Sequence, residues 1–355
     1  MVHQFKNNGY DIVLDVNSGA IHVVDDVTYD VIAMFEEHTP DEIVQQLKDQ
    51  YPEAEIKEAI DEVEQLKQNE ELFTEDVYKS HILDFKKRPT VVKALCLHIA
   101  HDCNLACKYC FAEEGEYHGR RALMSYETGK QALDFLIANS GSRKNLEVDF
   151  FGGEPLMNFD VVKQLVAYGR EQEKLHDKHF RFTLTTNGVL LNDEVMEFAN
   201  KEMDNVVLSI DGRKEVHDRM RPFRKGAGSY DLIVPKFQKL AESRNQERYY
   251  VRGTFTHYNT DFSNDVLHLA DLGFKQISVE PVVAQPSDDY ALTEEDLPVL
   301  FAEYDKLAAE MVRRKKEGRG FNFFHFMIDL EGGPCVYKRL SGCGSGTEYL
   351  AVTPW

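Results

Sequence analysis

Three cysteines fall within eight residues, with the spacing C-x3-C-x2-C: Cys103, Cys107 and Cys110. Three thiolates this close together can bind three irons of a [4Fe–4S] cubane and leave the fourth iron without a protein ligand. Zinc, with His101 or His118 as a further ligand, is the alternative, although structural zinc sites close with four protein ligands. The spacing therefore predicts an iron–sulfur cluster with one open coordination position.

The segment after residue 80 alternates between apolar strand patterns and helical patterns. Predicted strands cover residues 91–100, 146–151, 181–186, 206–210, 249–256 and 277–283. Predicted helices lie near 126–139, 160–174, 192–202, 230–243 and 263–272, and a longer one covers 292–318. This alternation predicts a parallel sheet covered by helices on both faces, with functional residues at the carboxyl ends of its strands.

Short polar motifs stand where these strands end. They are Gly152-Gly153-Glu154-Pro155, Thr185-Thr186-Asn187-Gly188, Ser209-Ile210-Asp211-Gly212 and Glu280-Pro281, with Arg221 in a polar run after the fourth strand. Glycines let a backbone approach a ligand closely, while these residue types also form turns, helix N-caps and surface ion pairs. Their shared position favours one ligand site, and its candidate residues are Gly152, Gly153, Glu154, Thr186, Asn187, Ser209, Asp211, Arg221 and Glu280.

The cysteine triad, the aromatic Tyr109 directly before its third cysteine, and the Gly-Gly-Glu-Pro motif resemble the radical S-adenosylmethionine (SAM) superfamily. The resemblance implies a partial (β/α)6 barrel in which SAM chelates the open iron and its reductive cleavage releases a 5′-deoxyadenosyl radical. It also implies that Tyr109 and the strand-end motifs bind SAM, with Glu154 at the ammonium and Arg221 at the carboxylate. Glu280 is expected to meet the ribose hydroxyls or to cap a helix.

Residues 1–80 differ in composition from the rest of the chain. They hold 20 acidic and 5 basic residues, a net charge of -15, whereas the whole chain carries -20. Strand patterns at 10–16 and 19–24 predict a hairpin, and helices are expected at 26–37, 41–50 and 52–69. The charge argues against a nucleic-acid partner and allows a basic peptide, with a merely well-solvated surface as the alternative.

A hairpin followed by three helices resembles the winged-helix-like recognition element of enzymes that modify ribosomal peptides. The resemblance implies that residues 1–80 bind the leader of a precursor peptide as a strand added to the sheet edge. A winged-helix cap without a ligand is the alternative.

The tail from residue 319 is rich in glycine and contains Gly333-Pro334-Cys335 and Ser341-Gly342-Cys343-Gly344. This tail resembles the opening of a SPASM-type auxiliary-cluster domain, which implies that Cys335 and Cys343 are ligands of one or two auxiliary [4Fe–4S] clusters. Two cysteines cannot hold a cubane alone, so we expect either a truncated chain or lost ligands, with two free thiols as the alternative. A final strand is expected to run through Thr353-Pro354-Trp355. The expected domains are residues 1–80, 81–318 and 319–355.

The whole chain resembles the maturases of SCIFF peptides, which are small and rich in cysteine. The resemblance is carried by residues 11–19 (DIVLDVNSG), the cysteine triad, the Gly-Gly-Glu-Pro and Ser-Ile-Asp-Gly motifs, and residues 342–346 (GCGSG). This resemblance implies a radical SAM oxidoreductase that bonds a peptide cysteine sulfur to a backbone or adjacent carbon, making a thioether. It implies a cysteine-rich precursor peptide and an electron donor such as ferredoxin or flavodoxin as partners. Formylglycine formation, carbon–carbon crosslinking, and a peptide-binding fragment that is inactive in crosslinking remain alternatives.

Location and redox state follow from what the sequence lacks. The sequence contains no run of about 18 apolar residues, so no membrane span is predicted. The N-terminus has no signal-peptide pattern. A cytoplasmic protein without a membrane partner is therefore expected, and its six cysteines do not resemble a disulfide framework. Cys96 is expected to be a core thiol, because it lies between Leu95 and Leu97.

Overall fold

The computed structural model describes residues 1–81, 90–328, 335 and 344–355. The described residues form two compact units. One contains residues 1–81 with 328 and 335, and the other contains residues 90–327 and 344–355. In the described part of the chain, no helix is both long enough and apolar enough to cross a membrane.

The first unit combines a three-stranded antiparallel sheet with three helices. The strands, in the order β1-β2-β3, are β1 (Val2–Asn7), β2 (Tyr10–Asp15) and β3 (Ile21–Val24). The helices are α1 (Asp26–Met34), α2 (Pro40–Leu47) and α3 (Glu53–Gln68). The predicted hairpin and all three helices are confirmed. Buried apolar residues from both layers form the core of this unit, among them Val13, Val31, Ile43, Ile56 and Val63.

Strand β1 is an element that sequence reasoning missed. Its residues, His3, Gln4, Lys6 and Asn7 among them, have weak strand preferences. The strand forms because it pairs with β2 over its whole length, from Val2 opposite Asp15 to Asn7 opposite Tyr10. The sheet therefore has two edges, β1 and β3, instead of those of a simple hairpin.

The second unit is built on one large sheet. Its strands are β4 (Ala94–His101), β5 (Ala122–Leu123), β6 (Asn145–Gly152), β7 (His179–Thr186), β8 (Asn205–Ser209), β9 (Tyr249–Phe255), β10 (Gln276–Pro281), β11 (Asn322–Phe323) and β12 (Tyr349–Val352). Its helices are α4 (Tyr126–Asn139), α5 (Phe159–His176), α6 (Asp193–Glu202), α7 (Lys214–Met220), α8 (Tyr230–Ser243), α9 (Ser263–Asp271) and α10 (Leu297–Lys316). The strand order is β11-β10-β9-β8-β7-β6-β4-β12, and every neighbouring pair in it is parallel. The short β5 pairs antiparallel with β4.

The six predicted strands are β4 and β6 to β10, and their parallel arrangement is confirmed. One face of each strand packs into the apolar core beneath the helices, as Leu95, Leu97 and Ile99 of β4 do. Side chains alternate along a strand, so Cys96 points to the opposite face. The expectation of a core thiol was wrong, because Cys96 is partly exposed and lies outside that apolar core.

The last strand ends earlier than expected. Strand β12 pairs with β4, on the side that β6 does not occupy, and stops at Val352. Thr353, Pro354 and Trp355 are not in a strand. Pro354 has no N–H to donate to a neighbouring strand, which explains why the ladder stops there.

Candidate functional site

A cavity of about 430 Å³ lies at the carboxyl ends of the parallel strands. Among the six predicted strands, β4 and β10 lie at opposite ends of the sheet order. The cysteines that follow β4 and Glu280 at the end of β10 line the same cavity, so the sheet curves around it as an open barrel. Eleven predicted site residues lie on its wall: Cys103, Cys107, Cys110, Tyr109, Gly152, Gly153, Thr186, Asn187, Ser209, Arg221 and Glu280.

Two predicted residues, Glu154 and Asp211, lie behind that wall instead of on it. Both are fully buried. Each accepts hydrogen bonds from residues that do line the cavity. Both belong to the predicted strand-end motifs. The geometry does not support direct contact of either carboxylate with a ligand.

The cysteine loop is hydrogen-bonded to the end of α7 and to the segment that follows it. The amide N–H of Ala106 donates to the carbonyl of Pro222 at 2.9 Å, and that of Lys108 donates to the carbonyl of Met220 at 2.9 Å. The guanidinium of Arg224 donates to the carbonyl oxygen of Cys103 at 2.7 Å. These main-chain contacts fix the direction in which the three thiols point.

The surroundings of two of the three thiols raise their pKa values. Burial, together with the smaller effect of the nearby Glu154 carboxylate, raises the pKa of Cys103 to about 12. Burial likewise raises the pKa of Cys107 to about 11, against the opposing effect of the Arg221 guanidinium. A coordinating metal ion deprotonates a thiol and reverses this balance. The donor set is therefore suited to thiolate coordination and not to nucleophilic catalysis by a free thiol.

The geometry favours a cluster over a single zinc ion. Among the residues that the structure describes, no three histidine, cysteine, aspartate or glutamate side chains converge closely enough to hold one metal ion. His101 and His118 do not line the cavity; His101 contacts His98, and His118 pairs with Glu113. Thiols on one shared wall fit an [4Fe–4S] cubane, in which each thiolate binds a different iron.

Gly152 and Gly153 are required by the packing of two strand ends. Gly152 has a φ of +119°, and a Cβ at that position would lie 2.4 Å from the carbonyl oxygen of Ala100. A Cβ at Gly153 would lie 2.0 Å from the carbonyl oxygen of Asp102. The close approach that the glycines allow is therefore to the start of the cysteine loop, while both residues also face the cavity.

Glu154 organises the neighbouring strand end from behind the cavity wall. Its carboxylate accepts hydrogen bonds from the hydroxyl of Thr186 and the amide N–H of Asn187, both at 2.8 Å, and from the amide N–H of Leu156 at 3.0 Å. Burial raises the pKa of Glu154 to about 7 against these three hydrogen bonds. Asn187, held in this way, places its side-chain amide 3.5 Å from the Cys103 sulfur.

Asp211 is a buried anchor for three residues of the cavity wall. Its carboxylate accepts from the Tyr109 hydroxyl at 2.7 Å, from Nε of Arg221 at 2.9 Å and from the amide N–H of Thr254 at 3.1 Å. The Arg221 guanidinium also lies over the Tyr109 ring, 5.3 Å from its centroid. Asp211 thus joins the cysteine loop, the candidate carboxylate-binding arginine and strand β9.

Sequence reasoning missed Arg252 and Thr254 on the cavity wall. Both belong to β9, and their neighbours Val251 and Phe255 are in the apolar core. The alternation of polar and apolar residues in this strand was the available signal. Glu280 lies on the same part of the wall and forms an ion pair with Arg252 at 2.5 Å.

The predicted auxiliary site lies mostly outside the described residues. Cys335 is exposed, and Cys343 lies outside the described residues, as do Gly333 and Pro334. The assignment of Cys335 and Cys343 as metal ligands stays a prediction.

Part of this chain, including the cysteine loop, is similar in sequence to one protein superfamily. Residues 97–259 match the model of the Radical SAM superfamily. The radical SAM cyclopropyl synthase TigE of Paramaledivibacter caminithermalis is 26% identical over 184 residues, which is 48% of this chain and 38% of that protein. The chain spans less than two thirds of the length of the first curated relatives that it matches.

Two solved structures share the fold at low sequence identity. Streptococcus suis SuiB bound to S-adenosylmethionine gives a TM-score of 0.51 at 14% identity, covering 99% of this chain and 80% of that one. Native anSMEcpe with bound AdoMet and the Cp18Cys peptide gives a TM-score of 0.56 at 20% identity, covering 66% of this chain and 64% of that one.

Proposed function

We propose that this chain is a radical SAM enzyme that modifies a peptide, a proposal supported by the match of residues 97–259 to the Radical SAM superfamily. The observation that carries the proposal is that one and the same cavity is lined by Cys103, Cys107, Cys110, Asn187 and Arg221. A cysteine triad alone would fit several metal sites. Its combination with a guanidinium and an amide on one wall fits a cluster beside a bound amino acid group.

Seven residues of the cavity wall have a stated part in this proposal. The three thiolates hold three irons, and the Asn187 amide donates to the Cys103 sulfur, a contact that tunes such a cluster. Arg221, oriented by Asp211, binds the SAM carboxylate, while Thr186, Ser209 and the neighbouring backbone bind its other polar groups. When bound, the [4Fe–4S] cluster and SAM supply a 5′-deoxyadenosyl radical.

The peptide substrate is supported by two features outside the cysteine loop. In the anSMEcpe structure, a peptide is bound together with AdoMet on a shared fold. The first unit of this chain has a sheet edge at β3 where Ile21 and Val23 are exposed. Strand edges bind extended peptides through main-chain hydrogen bonds. Residues 1–80 are proposed to bind the leader in this way.

The proposed product is a thioether between a peptide cysteine and a carbon of the same peptide, as in the maturases of SCIFF peptides. Forming the carbon–sulfur bond removes one hydrogen atom from carbon and one proton from the thiol. One electron then remains and requires an acceptor. An auxiliary cluster with Cys335 and Cys343 among its ligands is the proposed acceptor, and ferredoxin or flavodoxin is the proposed electron donor for SAM cleavage.

Mass spectrometry of a cysteine-rich peptide incubated with the reconstituted enzyme, SAM and a reductant tests this function. Each thioether lowers the peptide mass by about 2 Da, because two hydrogens are lost, and blocks alkylation of one cysteine. A matched reaction with the Cys103→Ala variant should leave the peptide unchanged. A product that lost 2 Da but kept every cysteine alkylatable would contradict thioether formation and favour a carbon–carbon crosslink.

A further inference from the structure

Arg252 and Glu280 form a charged pair on the part of the cavity wall that β9 and β10 provide. The guanidinium donates to the Glu280 carboxylate at 2.5 Å. The Ser278 hydroxyl donates to the other carboxylate oxygen at 3.3 Å, and His325 lies 3.9 Å from the same oxygen. Glu280 is thus held from both sides, and it fixes the arginine in turn.

The arginine has donors left for a ligand. Its side chain is 50% exposed although it lies on a cavity wall. Among the described residues, Glu280 alone accepts a hydrogen bond from it. A guanidinium carries five N–H donors, so most of them have no acceptor among the described residues. Arg221 differs, because its side chain is only 13% exposed and is neutralised by the buried Asp211.

The chemistry around Arg252 selects a neutral acceptor. A ligand carboxylate at this position would face Glu280 and meet like-charge repulsion. The adjacent wall is formed by Pro281, Val282 and Val283, and Val283 is 95% exposed. An extended peptide presents both features, because its main-chain carbonyl is an uncharged acceptor and an apolar side chain can lie beside it.

We propose that Arg252, held in place by Glu280, binds a main-chain carbonyl of the peptide substrate, with a substrate side chain against Val282 and Val283. This inference rests on the proposed function, since it needs a peptide in the same cavity. It assigns β9 and β10 to the substrate and leaves the polar complement near β4, β7 and β8 to SAM. Glu280 is then a positioning residue for Arg252, and it does not bind the ribose hydroxyls.

The test uses the reconstituted 355-residue chain with SAM and a short capped peptide that contains one cysteine among alanines and valines. A second peptide replaces the residues beside the cysteine with aspartate. Dissociation constants for both peptides and for SAM are measured anaerobically by calorimetry. The variants are Arg252→Met, Arg252→Lys and Glu280→Gln.

A matched control is Arg181→Met. Arg181 also lies on a strand, is about half exposed and pairs with a glutamate, Glu147, on the neighbouring strand. It lies near the amino end of β7 and does not line the cavity. Loss of a surface ion pair as such is therefore reproduced by this variant.

Arg252→Met should raise the dissociation constant of the neutral peptide roughly tenfold or more, the loss of a hydrogen bond to a charged group. The dissociation constant of Arg252→Lys should lie between those of the unaltered chain and Arg252→Met, because an ammonium keeps the charge but lacks the planar fork of the guanidinium. Glu280→Gln should weaken peptide binding less than Arg252→Met does. Arg181→Met should bind the peptide like the unaltered chain.

Three results would overturn the inference while the proposed function stands. They are equal peptide affinity in Arg252→Met and the unaltered chain, tighter binding of the aspartate peptide than of the neutral one through Arg252, and a tenfold loss of SAM affinity in Arg252→Met. The last result would assign the pair to SAM. Failure of the unaltered chain to bind SAM would instead refute the proposed function itself, and the peptide inference with it.

Discussion

The hydroxyl of Tyr109 donates a hydrogen bond to the buried carboxylate of Asp211, 2.7 Å away, across 102 residues of sequence. Tyr109 stands between two of the three clustered cysteines, and Asp211 follows strand β8. Because Asp211 also accepts from Arg221, one carboxylate fixes both the cysteine loop and the proposed SAM-binding arginine. The arrangement makes the position of the ligand site depend on a residue that does not touch the ligand.

Asp211→Ala should destabilise the second unit by about 3–5 kcal/mol, because it leaves the guanidinium of Arg221 buried without its counter-charge. Unfolding in urea can be followed by the fluorescence of Trp355, the single tryptophan, which belongs to this unit. The control is Asp231→Ala, which removes an exposed pair with Lys214 and should cost no more than about 1 kcal/mol. Equal stability of the two variants would remove Asp211 from its anchoring role.

His217 should make the second unit sensitive to acid. The ring is fully buried and contacts the amide N–H of Asp211 and the hydroxyl of Ser229. Burial lowers the pKa of His217 from 6.5 to about 4. Between these two values the unfolded chain binds a proton that the folded chain does not, so stability falls as the pH drops from 6.5 towards 4.

The contribution of one such histidine reaches up to about 1.4 kcal/mol per pH unit. His217→Asn should therefore flatten the dependence of unfolding free energy on pH in this window by that amount. Urea unfolding at pH 6.5, 5.5 and 4.5, with both chains free of metal, measures the difference. Parallel curves for the two proteins would show that His217 does not titrate in this way.

Arg221→Ala should weaken SAM binding by about 1.5–3 kcal/mol, the range for a hydrogen bond to a charged group. Glu154→Ala should also weaken it, through displacement of Thr186 and Asn187, and iron content should stay near that of the unaltered protein in both. Arg219→Ala is the matched control. Arg219 is only two positions before Arg221 in the sequence, but it lies over the Tyr258 ring and does not line the cavity. Unchanged SAM affinity in the Arg221 variant would show that its place on the cavity wall is structural only.

A chain that lacks residues 1–80 should still cleave SAM but lose affinity for a basic leader peptide. The strand edge supplies main-chain hydrogen bonds, and the net charge of -15 in this segment should make association sensitive to salt. Fluorescence anisotropy of a labelled basic peptide, at low and at physiological ionic strength, measures both effects. Equal affinity with and without residues 1–80 would refute the recognition role.

The sequence predicted the elements of the second unit well because their patterns are local. Each of the six strands is apolar and five of them are followed by a candidate motif, so both the sheet and the edge that carries the site followed from the sequence. The triad Cys103, Cys107 and Cys110 was identifiable because its spacing is itself the chemical information.

What the sequence did not reveal depends on direction and on distant contacts. The motifs contain Glu154 and Asp211, but only the folded chain shows that both carboxylates turn away from the cavity and are satisfied by neighbouring strands. Arg252 sits in the middle of a strand without a motif, so its place on the wall follows from the curvature of the sheet. Strand β1 forms through its pairing with β2 and has little strand preference of its own.

The central claim is tested most directly by 5′-deoxyadenosine formation from SAM under anaerobic reducing conditions. The unaltered chain and the control Cys96→Ala should both form it, because Cys96 lies on β4 and does not line the cavity. Cys103→Ala, Cys107→Ala and Cys110→Ala should each abolish the product and lower the iron content. Undiminished 5′-deoxyadenosine in all three variants would contradict the assignment of these thiolates as the cluster ligands.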